Sequence, residues 1–86
     1  MKNYIIKINK KYLTGFEETN IKSNTGTGGW YDVNKSMNIS KPLLQSNEKN
    51  KKIIEGNTNL KSCIDKILNY NKETNDIKNI EIIEVF

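Results

Sequence analysis

The sequence predicts an α+β domain, a small antiparallel sheet of three to five strands with one α-helix packed on one face. Three observations point there. Leu60, Cys63, Ile64, Ile67 and Leu68 recur at i, i+3, i+4, i+7 and i+8, a single apolar stripe at helical spacing. Residues 3–9 and 79–86 alternate with a period near two, as half-buried strands do. The chain has 86 residues, enough for one domain, and a one-sided helix has to bury its stripe against another element.

In chain order, residues 3–9 set Tyr4, Ile6 and Ile8 on one side of an extended strand and Ile5 and Lys7 on the other. A polar turn around Asn9, Lys10 and Lys11 leads into a second strand from Tyr12 to Glu17, so residues 3–17 read as a hairpin. Gly15 inside it signals a bulge or a close backbone approach. Residues 18–29 read as a flexible, Gly-rich connection, and Trp30-Tyr31-Asp32-Val33 restores strand character. Residues 34–51 read as a second flexible loop, because Pro42 interrupts a helix or a central strand. Ile53-Ile54 suggests a short strand closed by Gly56. The helix is expected over 59–70, with Asn57, Thr58 and Asn59 as N-caps and Asn71 as its stop. In the last strand the alternation breaks at Ile82-Ile83, which calls for a bulge or burial on both faces.

Composition narrows the chemistry. The chain carries fourteen Lys, no Arg, no His and no Ala, with a formal net charge of +4 and a mean hydropathy of −0.72. Without His, the side chain that titrates near neutrality and commonly ligates metals is missing. Without Arg, bidentate readout of phosphate or guanine is missing too. A single Cys63 cannot form an internal disulfide or a multi-cysteine zinc site, and one unpaired thiol fits a reducing cytosol. No apolar run approaches the roughly 20 residues of a membrane span, and Lys7 breaks the N-terminal apolar stretch, so neither membrane insertion nor a signal peptide is expected. A cytoplasmic protein of a bacterial host cell is the expectation.

The glycines of Gly26-Thr27-Gly28-Gly29 do not complete a phosphate loop. A dinucleotide fingerprint would need glycine where Tyr31 stands, and a Walker loop would need a following Lys-Ser/Thr and a helix. Nothing in the sequence localises a pair of carboxylates for acid–base work, and no nucleophile has an identifiable base, so no catalytic residue, metal or cofactor is expected. Cys63, on the apolar stripe, reads as core. Charge is uneven: residues 1–11 carry +4, residues 41–52 carry +3 and residues 73–86 carry −3. The front and the tail are either complementary within the fold or present a polar surface to a partner.

The expected contact residues are the adjacent aromatics Trp30 and Tyr31 with Lys49, Lys51 and Lys52. The stretches Tyr4–Ile8, Tyr12–Phe16, Gly29–Tyr31, Asn59–Leu68 and Ile80–Val85 resemble small phage and prophage proteins of low-GC bacteria, anti-CRISPRs and other anti-defence inhibitors among them. The AT-rich codon set behind Lys, Asn and Ile fits that setting. The resemblance implies a binding protein that docks on a host defence nucleoprotein such as a Cas effector. The alternative is a lysine-rich nucleic-acid module, with lysines on phosphates and aromatics stacked on bases.

Overall fold

A computed structural model of the chain describes residues 2–24 and 34–85. It is an α+β fold, a curled antiparallel sheet of five strands with one helix. The strands are β1 (Asn3–Ile8), β2 (Lys11–Asn24), β3 (Asn34–Gln45), β4 (Ile54–Glu55) and β5 (Ile80–Val85), and the helix is α1 (Gly56–Thr74). A short 3-10 turn, Glu48–Asn50, follows β3.

β1 organises the sheet. Along one edge it pairs with all of β5, from Asn3↔Val85 to Ile8↔Ile80. It also pairs with β2 at Lys7↔Tyr12 and Ile8↔Lys11, and with β4 at Asn3↔Glu55 and Tyr4↔Ile54. The turn into β2 is held by Asn9 and Lys10 at φ of 51° and 67°, the left-handed pair of a two-residue hairpin whose twist matches the strands. The basic front therefore lies beside the acidic tail: Lys7 is opposite Glu81, and Lys2 Nζ is 3.8 Å from Glu84 Oε1. Part of the charge of the two segments is thus matched within the fold.

The core sits between sheet and helix. Ile6, Ile8, Leu13, Ile54, Cys63 and Ile67 form one buried cluster, with Tyr4, Phe16, Leu44, Leu60 and Ile64 packed around it. Burying a side chain such as Ile67 stabilises by about 1.5–3 kcal/mol. The helix runs further than 59–70. Gly56, at φ 80°, starts it directly from β4, and its N–H donates to the Lys2 carbonyl at 2.8 Å. Asn57, Thr58 and Asn59 lie in the first turn and do not cap it; the N-cap position is Glu55. Asn71 is not the stop either. Asn75, left-handed at φ 58°, ends the helix and donates its N–H to the Asn71 carbonyl at 2.8 Å. On the stripe, Tyr70 is buried and Leu68 is exposed.

Two segments read as loops turn out to be strand. Residues 18–24 continue β2, and 34–45 are β3, paired rung by rung from Gly15↔Leu43 to Asn24↔Asn34. Polarity misled the reading, because a two-stranded ribbon does not need an apolar face along its whole length when its polar side chains bond across it. Ser40 Oγ donates to Glu18 Oε1 at 2.6 Å, Asn20 Nδ2 to Asn38 Oδ1 at 3.1 Å, and Ser36 Oγ to Asn20 Oδ1 at 2.6 Å. Pro42 is tolerated because β3 is an edge strand, where a missing N–H need not break a ladder. The bulge signalled by Gly15 is present as a register shift between Leu13 and Gly15. β5 has no bulge at Ile82-Ile83; Ile83 is half-buried and Ile82 exposed.

Candidate binding site

The segment after β3 turns sharply back on the body. Asn47 Oδ1 accepts the Lys49 N–H at 2.9 Å, Asn50 Nδ2 donates to Gln45 Oε1 at 2.6 Å, and the Lys52 N–H reaches the Leu13 carbonyl at 2.9 Å. This last bond ties the segment to the β2 bulge. It brings Lys49, Lys51 and Lys52 to one corner, in three different settings. Lys49 is exposed. Lys51 is half-buried and held 3.3 Å from Glu48 within its own turn. Lys52 is exposed on the rim of a cleft.

That cleft, about 400 Å³, lies between the first half of α1, β4 and the bulge. Lys52, Lys66, Asn59 and Ser62 supply its polar rim, and Phe16 and Ile53 its apolar wall. Lys66 Nζ stands 5.1 Å from the centroid of the Phe16 ring, within cation–π range. Cys63 forms part of the lining but is 8% exposed and belongs to the core. Glu55 is the one acid there, so two ammonium groups outnumber one carboxylate. Such a mix of cations and apolar surface suits an acidic or aromatic side chain better than a reacting substrate.

Sequence reasoning missed Phe16, Asn59, Ser62 and Lys66. Their signal was weak but present: Asn59, Ser62 and Lys66 are spaced i, i+3 and i+7 on one helical stripe, beside the apolar one. Trp30, Tyr31 and the glycine cluster at 26–29 lie outside the described residues.

The second exposed feature is the ribbon. Beyond the buried Ile39, β2 and β3 run on for five rungs, Asn20↔Asn38 to Asn24↔Asn34, paired among the described residues only with each other. The radius of gyration is 15.6 Å, where a compact chain of this length has about 12 Å.

Among the described residues, no three His, Cys, Asp or Glu side chains are grouped to hold a metal ion, and no helix is long and apolar enough to cross a membrane. Among the described residues the perturbed titrating group is Tyr70, whose phenol is held above its ordinary value, first by burial and then by its 3.1 Å hydrogen bond to Asp76. It lies at the far end of α1 from the cleft and closes the helix onto the following loop. Compared with protein-family profiles, curated proteins and solved structures, the chain matches none of them.

Proposed function

We propose that the chain is a non-enzymatic binding protein, an inhibitor encoded by a phage or other mobile element that docks on a host defence nucleoprotein of the Cas-effector kind. The observation that carries this reading is the ribbon. A domain that needed β2 and β3 only for its core would end them near Ile39, the last fully buried side chain described on either strand, yet the pairing runs on for five further rungs. Polar, cross-bonded ribbons projecting from a rigid body suit insertion into a groove of a larger partner. The corner of Lys49, Lys52 and Lys66 is a second contact surface, able to face an acidic patch on the effector or the phosphates of the nucleic acid it carries. Trp30 and Tyr31, outside the described residues, remain the chain's proposed aromatic anchors.

The test is co-expression with the defence effectors of the source host, pull-down, and an interference assay. The intact chain is expected to co-purify with one effector and suppress its activity. A chain with residues 20–38 replaced by an Asn-Gly turn should fold and do neither. Equal inhibition by the shortened chain would sink the ribbon's role. Binding to bare oligonucleotide that falls steeply with salt, with no effector bound, would instead favour a nucleic-acid module, because released counterions produce that slope.

A further inference from the structure

The two edges of the sheet are built differently. β3 carries Pro42, which has no N–H to offer, and Lys41 beside it; both discourage an added strand. β5 carries neither proline nor lysine, shows no bulge, and among the described residues pairs with β1 alone.

The ladder fixes which backbone groups of β5 are free to pair. The Asn9 N–H donates to the Asn79 carbonyl at 3.1 Å, so 9 and 79 form a bonded pair. Bonded and non-bonded pairs alternate in an antiparallel ladder. Glu81, Ile83 and Val85 therefore turn their N–H and C=O toward β1, while Ile80, Ile82 and Glu84 direct theirs outward. The other side of β1 agrees in phase. The Gly56 N–H bonds the Lys2 carbonyl at 2.8 Å, which turns the even-numbered residues of β1 toward β4 and the odd ones toward β5.

The side chains along this edge specify what would fit. Ile82 is 47% exposed, and Ile80, Ile83 and Val85 are half-buried. Glu81 shares a face with Ile83 and Val85, and Glu84 shares the other with Ile80 and Ile82. Lys7 and Lys2 approach these acids from the β1 side only, Lys2 at a loose 3.8 Å.

We propose that β5 accepts an extended segment of a partner protein as a sixth strand, with lysine or arginine opposite Glu81 and Glu84 and β-branched residues between them. Such strand addition draws affinity from main-chain bonds and specificity from alternate side chains. A second copy of the chain fits less well. With Ile82 beside its twin, the outward bonds match, but Glu81 then faces Ile83 and Glu84 faces Ile80 of the second copy. Neither acid gains a cation.

The test is an amide-resolved NMR titration of the whole chain with the peptide acetyl-Thr-Lys-Val-Val-Lys-Thr-amide. The largest shifts are expected at Ile80, Ile82 and Glu84. A peptide with Glu in place of both lysines should bind about 4- to 25-fold more weakly, at roughly two- to fivefold per cross-strand charge pair. Ile82→Pro deletes an outward N–H without touching the bonds to β1, and should weaken binding at least about tenfold if one main-chain bond is worth about 1.4 kcal/mol. Glu81→Lys combined with Glu84→Lys should reverse the preference between the two peptides, and it carries the test should the proline variant fail to fold. No shift on β5 at millimolar peptide, equal binding of both peptides, or a concentration-dependent dimer that masks β5 would each overturn the proposal.

Discussion

Asn9 joins both ends of the fold. Its side chain accepts the N–H of Lys78 at 2.7 Å and of Asn79 at 3.3 Å, and donates to the Asp76 carbonyl at 2.9 Å. Asn9→Ala removes these bonds and places alanine at a left-handed φ; the expected loss is about 2 kcal/mol in urea unfolding. Lys10, at φ 67°, carries the strain without such compensation. Lys10→Gly should raise stability by about 1 kcal/mol in the same measurement, since glycine adopts that conformation freely. Tyr70 provides a pH signature. The unfolded chain loses the phenol proton near pH 10, whereas burial and the bond to Asp76 keep it on the folded chain to higher pH. The stabilisation is complete below about pH 10 and is lost as pH rises through the higher folded value. Tyr70→Phe should cost about 1 kcal/mol at pH 7 and should flatten the alkaline fall in stability relative to the parent; an unchanged alkaline slope would contradict the assignment.

At the scale of elements, the helix was the most legible part because its stripe reports directly on what it packs against. Its inner face is set by Cys63, Ile67 and Tyr70; Leu68, one residue and about 100° round from Ile67, falls outside it. Ile67→Ala should therefore cost about 2–5 kcal/mol, while Leu68→Lys should stay within about 0.5 kcal/mol, both by urea unfolding. The helix ends were harder to read. Three asparagines and threonines near the first end (Asn57, Thr58, Asn59) and four near the last (Asn69, Asn71, Thr74, Asn75) offer caps, and the choice fell to backbone geometry at Gly56 and Asn75, which no periodicity records. β1, the first hairpin and β5 were legible for the same reason as the helix, an apolar face against a core. The outer part of β2–β3 was not. Its period-two signal is carried by isolated residues, Thr19 and Ile21 against Met37 and Ile39, and asparagine and serine hid it. The cleft was illegible because it joins Phe16, Lys52 and Lys66, brought together only by the bulge and the Lys52–Leu13 bond. Gly15 beside that bulge has open space where a Cβ would stand, so Gly15→Ala should be neutral or stabilising by a few tenths of a kcal/mol.

For the molecule as a whole, burial and surface are divided between regions. Stability resides in the helix, β1 and the inner parts of β2 and β3 up to Ile39, where the fully buried side chains gather, while the lysine corner adds surface and the outer ribbon lies beyond the last of them. This division is what the binding proposal needs, because an element free of core duties can be shaped by a partner. The direct measurement is the urea unfolding free energy of the chain with residues 20–38 replaced by an Asn-Gly turn, set against the intact chain. The account predicts a difference within about 1 kcal/mol, since Thr19 and Ile39 then close the hairpin and every buried cluster residue is retained. A loss of more than about 3 kcal/mol would mean that the outer rungs hold the fold together, and would contradict it.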